Sequence, residues 1–356
     1  MSYLNLAGRS SFMRDIERRK KEHVDVCLRG SVEYRKGSGF EDVEFVHNAL
    51  PELDLGEVDI KARLFGKKLE APMFIEPITG GYREAGKINK RLALAAEEEG
   101  IVFCVGSQRA MIEDRRLKET YYVRDVAPNA VVIGNIGIAQ LKKGNLKKIE
   151  EAVQSIEADG LSIHLNALQE AVQEGGDRNF KGCLRAIEEA CDRFPFPLIV
   201  KETGGGMSAG VASKLKEAGV SLVDVAGAGG TSWSKVEYRR GRGVPGFDEW
   251  GVPTVQSIVL CSSLLKVIAS GGIRNGIDLA KGIALGADFG GAALPFVLSK
   301  NPRKEIGLWK EQMKIAMFLL GAKNLGELKR AKLLVTGRTA EELLLHGIDI
   351  GRFAKR

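Results

Sequence analysis

Short apolar runs of strand length alternate along the chain with longer segments whose apolar positions recur at helical spacing. The runs occupy residues 71–80, 101–106, 130–137, 160–166, 197–205, 222–230, 265–272 and 287–295, and most end in Gly, Ser, Thr or Asn. Between them lie amphipathic stretches such as KINKRLALAAEEEG (87–100), LKKIEEAVQSIEADG (146–160) and IDLAKGIALGAD (277–288). Apolar strands alternating with helices predict a parallel sheet covered by helices. Eight such units over this span predict a closed (β/α)8 TIM barrel, whose core takes roughly 250 residues, ahead of an open doubly wound sheet. The expected organisation is one domain over residues 1–356. Residues 1–70 form an N-terminal segment, 71–295 the barrel core and 296–356 C-terminal helices, with a helix expected over 303–322.

Composition narrows the class. Of the 356 residues, 28% are charged and 44% hydrophobic, which suits a globular protein in water. No apolar run is long enough to span a bilayer. The N-terminal stretch lacks the apolar core of a secretory signal. A cytoplasmic location and no membrane partner are therefore expected. The five cysteines show no paired spacing, which argues against a disulfide framework or a zinc site. Cys104, inside an apolar run, reads as a buried thiol. Lys and Arg outnumber Asp and Glu by 53 to 46, for a net charge of +7. The signs interleave almost throughout, and the concentrated basic run is RRKK at 18–21. This favours a small anionic substrate over nucleic acid. On its own, the run reads as a solvated helix face.

In a barrel of this kind chemistry belongs at the C-terminal ends of the strands. The unusual polar residues fall there. The first strand is followed by Thr79-Gly80-Gly81 and the second by Ser107-Gln108-Arg109, and the third contains Asn135. The fourth ends in SIHLNALQE (162–170), which crowds His164, Asn166, Gln169 and Glu170 into seven positions. Lys201-Glu202-Thr203 ends the fifth and Gly229-Gly230-Thr231-Ser232-Trp233 follows the sixth. Lys201 pairs with Glu202 or Asp224, or sits by an electron-rich cofactor ring. After the seventh strand comes SGGIRNG (270–276), leading into a helix. Two glycines let backbone approach a ligand, and amides at a helix N-terminus favour an anion. The loops after strands seven and eight are the usual phosphate site of this barrel.

Taken together, RKKEH (19–23), TGG (79–81), GSQR (106–109), GNIG (134–137), HLNALQE (164–170), KETG (201–204), GGTSW (229–233), WGVPT (250–254) and SGGIRNGIDLAKGIALGAD (270–288) resemble the type 2, flavin-dependent isopentenyl diphosphate isomerases, archaeal members above all. The resemblance runs from about residue 18 to 335. It implies a TIM barrel that uses reduced FMN and Mg2+, with NADPH as the reductant, to interconvert isopentenyl and dimethylallyl diphosphate, and a homo-oligomer, tetramer or octamer. It also implies flavin contacts at Ile78, Thr79, Gly80, Ser107, Asn135, Lys201 and Thr231. The FMN phosphate would lie on Gly271, Gly272, Ile273, Arg274, Ala293 and Leu294. The substrate diphosphate would meet Arg19, Lys20 and His23, folded over the barrel mouth as a clamp, with Ser107, Gln108, Arg109, His164, Asn166 and Gln169. Trp233 joins the substrate site, Glu170 holds the magnesium, and Gln169 and His164 are the candidate catalytic residues. No side chain in the matched motifs is an obvious base against an unactivated alkene, and in the family the reduced flavin is thought to carry the proton.

Several positions depart from the family. Glu76-Pro77 stands where a Thr-Gly pair is common, Ala226 where a Ser lies near the flavin, and Ala167 where a Pro follows His-x-Asn. The loop after residue 170 and the short basic segment between Trp233 and Trp250 also differ. None of these removes a main ligand. The rival reading is an FMN barrel that transfers hydride, of the α-hydroxy-acid oxidase type. That type carries a pattern like His-Gly-Gly-Arg where this chain has Ala228-Gly229-Gly230-Thr231, so it lacks the base and the substrate Arg. A non-catalytic phosphate-binding barrel would have no need of His164, Gln169 and Glu170.

Overall fold

The apolar runs form a closed barrel of eight parallel strands in this computed structural model, which describes residues 18–27, 32–241 and 243–356. The strands are β1 (Met73–Ile75), β2 (Val102–Cys104), β3 (Val131–Gly137), β4 (Gly160–Leu165), β5 (Leu198–Glu202), β6 (Leu222–Asp224), β7 (Lys266–Ala269) and β8 (Phe289–Ala292). Each pairs in parallel with the next, and β8 closes onto β1. The strands are shorter than the apolar runs because each run continues into the loop above it. Helices Arg83–Glu99, Leu146–Ser155 and Gly276–Ala284 match the expected amphipathic stretches. Their buried faces pack on the outside of the barrel with Ile75, Phe103, Val200 and Val267.

The interior is a second apolar cluster, in which Phe74, Val102, Cys104, Val131, Ile133, Ile199, Leu222, Ile268 and Phe289 meet. Cys104 is a buried free thiol there, as its apolar setting predicts. Leu64 and Leu69 join this cluster from a hairpin, Ala62–Leu64 with Lys67–Leu69. The hairpin turns through Phe65 and Gly66, both at positive φ. Because its leucines sit among the first residues of the strands, the hairpin plugs the N-terminal end.

The helix expected over 303–322 is Pro302–Phe318, but it does not end the fold. Leu333–Val335 pairs antiparallel with Val43–Phe45, tying the two flanks together. Residues 18–27 are helical. Residues 1–17, where the absence of a signal-like stretch was read, lie outside the described residues. Among the described residues no helix is long and apolar enough to cross a membrane.

Candidate functional site

Pleating places alternate strand residues on one face. On the inner face Phe74 is followed by Glu76, Ile133 by Asn135, Ser162 by His164, Ile199 by Lys201, Leu222 by Asp224 and Ile268 by Ser270. The barrel interior therefore changes from apolar to polar toward its C-terminal mouth. Strand register sets these groups side by side, since His164 pairs with Lys201 and Lys201 with Asp224.

Above this polar floor opens a cleft of about 320 Å3. It collects the residues expected at the ring (Ile78, Thr79, Ser107, Asn135, Lys201, Thr231) and at the phosphate (Gly271, Gly272, Ile273, Arg274, Ala293, Leu294). From the helical residues 18–27 come Arg19, Lys20 and His23, and from β4 and its following turn come His164, Asn166, Gln169 and Glu170. Arg109 and Trp233 complete the wall. Two expected contacts lie elsewhere. Gly80 is not on the cleft wall; its carbonyl accepts from Lys20 Nζ at 2.7 Å. Gln108 is buried beneath the wall, where its amide donates to the Ala152 carbonyl (3.0 Å) and accepts from the Asn135 N–H (3.0 Å). In this arrangement Gln108 props the β3 end and does not line the cleft.

The glycine-rich loops are tightly packed. A Cβ at Gly271 would come within 2.2 Å of the Gly227 carbonyl oxygen, and one at Gly272 within 2.7 Å of that of Gly229. Both have positive φ, at 96° and 81°, which only glycine adopts readily. The Thr79 hydroxyl is buried without a hydrogen-bond partner among the described residues. A bare-backbone cradle and an orphaned hydroxyl are what a bound phosphate and ring would complete.

His164 Nδ1 lies 2.8 Å from Asn135 Oδ1. Burial, with the charges of Lys201 and Lys20 added, pushes the imidazole down to about 3, so it is neutral. With Nδ1–H donating to Asn135, Nε2 is left as an acceptor. Lys20 Nζ reaches the Gly80 and Ser107 carbonyls (2.7 and 3.0 Å) and the Tyr121 hydroxyl (2.9 Å). Burial and the nearby charges of Arg19 and Arg109 push its ammonium down to about 7. Glu170 accepts from the side chains of Asn166 (3.0 Å) and Gln173 (2.9 Å) and from the Asp177 N–H (2.7 Å). Among the described residues no group of three or more His, Cys, Asp or Glu side chains is arranged to hold a metal by itself.

Of the two carboxylates expected to pair with it, Lys201 takes Asp224. Its ammonium is 3.3 Å from Asp224 and 4.0 Å from Glu76, while it donates to the backbone carbonyl of Glu202 at 2.6 Å. The Glu202 carboxylate is instead capped by the N–H groups of Thr203, Gly204 and Gly205.

One further residue escaped the sequence reading. Glu237, on helix Trp233–Arg239, is fully buried. It accepts from Gln169 (3.2 Å) and Arg240 (2.5 Å) and lies 2.8 Å from His23 Nε2. Burial opposes its charge, yet His23 and Arg240 hold its carboxyl down at about 2. Its signal was a carboxylate inside the basic stretch SKVEYRRGRG, which reads equally as an exposed charge pair.

A family model described as FMN-dependent dehydrogenase matches residues 163–335. The isopentenyl-diphosphate delta-isomerase of Pyrococcus furiosus is 45% identical over 95% of this chain and 91% of its own length. That of Archaeoglobus fulgidus is 46% identical over 93% of this chain and 99% of its own, and that of Methanosarcina barkeri 45% over 95% and 97%. Among solved structures, a mandelate oxidase variant with an FMN adduct superposes with a TM-score of 0.65 at 17% identity, covering 90% of this chain and all of that one. Flavocytochrome b2 superposes with 0.64 at 17% identity, over 89% of this chain and 84% of that one. At that identity these two share the fold alone.

Proposed function

The chain belongs to the isopentenyl-diphosphate delta-isomerase family, and from that premise we propose that its cleft holds FMN and a Mg2+-bound allylic or homoallylic diphosphate, interconverting isopentenyl and dimethylallyl diphosphate. The observation that carries this reading is that one cleft joins a glycine cradle, a polar floor and, at its rim, cations gathered around the Glu170 carboxylate. When bound, reduced FMN supplies a ring that carries a proton to and from the substrate, so the double bond moves without net oxidation; NADPH is the reductant we expect.

The chain's own residues orient and enclose. The cradle at Gly271, Gly272, Ile273 and Arg274, with Ala293 and Leu294, takes the FMN phosphate. Ile78, Thr79, Ser107, Asn135, Lys201 and Thr231 bound the ring. Arg19 and Arg109 match a diphosphate with fixed N–H forks. Glu170 suits Mg2+, which takes one or two carboxylates and completes its shell with substrate phosphates and water. Gln169, a neutral amide tied to Glu237, positions the substrate. The neutral His164 accepts a hydrogen bond at Nε2. The helical residues 18–27 cover the mouth and keep water from a cationic intermediate.

The test is anaerobic turnover of isopentenyl diphosphate by purified protein with oxidised FMN, reduced FMN and no flavin. Product only with reduced FMN and Mg2+ is expected. Oxidation of an α-hydroxy acid with no isomerisation would overturn the reading in favour of hydride transfer.

A further inference from the structure

Glu76 is not among the flavin contacts that the family resemblance supplies, and its place on the inner face of the barrel puts a carboxyl in the floor of the cleft. It is 7% exposed. Its Oε1 has no hydrogen-bond partner among the described residues. It fits because β8 carries Gly291 beside its carboxyl, where a Cβ would come within 2.4 Å of Oε1. Its Oε2 is 4.0 Å from Lys201 Nζ. The same ammonium is 3.3 Å from Asp224 Oδ2. Asp224, 1% exposed, also accepts at Oδ1 from the Ser270 hydroxyl (2.5 Å) and the Ala226 N–H (3.1 Å).

Two carboxyls are thus enclosed with one ammonium. Were both ionised, one negative charge would lie uncompensated away from water, which a buried site resolves by taking up a proton. Asp224 has the nearer cation and two donors, so it is the carboxylate. Glu76 has no donor among the described residues, so it takes the proton. We propose that Glu76 is held as an undissociated carboxylic acid, sharing its proton with Asp224 beside Lys201, and that this dyad is a proton store whose occupancy is coupled to the ligand bound above it. The ligand's identity rests on the FMN reading; the proton itself does not.

The charges around the dyad agree. Burial and the Asp224 charge push the Glu76 carboxyl well above the carboxylate range. Burial opposes the Lys201 ammonium, but Asp224 and Glu76 more than offset it and raise it above the ordinary lysine value. The other titratable groups facing the dyad and Lys201 are the Cys104 thiol on β2, pushed up chiefly by burial, the Glu202 carboxyl at the end of β5, pushed up by burial to about 7, and the neutral His164 beside Lys201.

Losing the shared proton puts net negative charge beneath an electron-rich ring and weakens its binding. The FMN dissociation constant is therefore flat while the dyad holds its proton. It rises by up to about tenfold per pH unit once pH passes the dyad's titration.

The first experiment is infrared difference spectroscopy of FMN-free protein against Glu76→Gln. An undissociated carboxylic acid band, shifted in D2O, is expected in the wild type and absent in the variant. No such band, or one that survives in E76Q, overturns the proton assignment. The second is FMN affinity by fluorescence quenching between pH 6 and pH 10. E76Q is expected to lose the dyad's pH dependence, while features common to both proteins cancel. Identical profiles overturn the coupling. Loss of FMN binding by both proteins at every pH overturns the FMN reading and the coupling with it, and the infrared band still decides the proton. If E76Q fails to fold, Glu76→Thr, matching the smaller residue common in the family, takes its place in both experiments.

Discussion

His164 has its protonation decided by its place in the barrel. Its pKa in the folded chain, about 3, lies below the ordinary histidine value. Between about pH 6.5 and pH 3 the unfolded chain binds a proton that the folded chain refuses, so this residue makes the fold less stable as pH falls through that window. His164→Gln is expected to flatten the dependence of unfolding free energy on pH below 6.5, measured by urea titration at several pH values; an unchanged slope would mean that His164 is already charged in the fold. Glu170 differs, because its carboxylate also organises the turn through Asn166, Gln173 and the Asp177 N–H. Glu170→Gln keeps the shape but removes the charge that the proposed Mg2+ site would use. Activity at limiting Mg2+ is expected to fall at least about tenfold, the effect of losing one charge-assisted contact, with FMN content unchanged. Full activity at limiting Mg2+ would remove Glu170 from the metal site.

At the scale of elements, the helical residues 18–27 are latched at both ends of the cleft. His23 meets the buried Glu237 and packs edge-on to Trp233 at 5.3 Å. Lys20 grips the loops after β1 and β2 through the Gly80 and Ser107 carbonyls. The two basic residues therefore separate. Arg19→Ala is expected to raise KM for the diphosphate about tenfold to a hundredfold, the worth of a charge-assisted hydrogen bond, and by less at high salt, where screening already weakens that attraction in the wild type. FMN content should stay constant. Lys20→Ala should also weaken FMN retention, because the loop carrying Thr79 loses its anchor. Steady-state kinetics beside flavin absorbance per protein tests both, and a KM unchanged in Arg19→Ala would return that residue to the surface. The sequence made the strands legible, because eight apolar runs needed only local pattern, and the ends of β4 and β5 legible as site. It hid what depends on partners far along the chain. Glu76 was visible as a departure, but Asp224 and Gly291, which decide its protonation and its room, belong to other strands. Gln108 sits in the same motif as Ser107 and Arg109, and only the turn after β2 sends it under the wall. The hairpin at 62–69 has three-residue strands carrying Lys67 and Lys68, too short and polar to read as structure.

At the scale of the molecule, the barrel divides its tasks between its two ends. The C-terminal mouth carries buried groups that cost stability: Glu76 and Asp224 around one lysine, a neutral His164, and Ala226 at a φ of 34°, a strained value for a residue with a Cβ. The N-terminal end compensates with apolar closure, in which Leu64 and Leu69 from the hairpin complete the layer formed by Val102, Val131, Leu222 and Phe289. Removing a core leucine leaves a cavity that the surrounding strands only partly refill, at a cost of about 2–5 kcal/mol. Leu69 is 2% exposed, so Leu69→Ala is expected to fall in that range by urea unfolding. Its apolar cluster contains no residue of the described cleft wall, so the FMN dissociation constant and kcat at a temperature where the variant is folded should stay within about twofold, since function is carried by the C-terminal face and stability by the other. If kcat dropped in step with stability, the two ends would be coupled through the barrel interior, and the polar floor would owe its geometry to packing at the far end as well as to strand register.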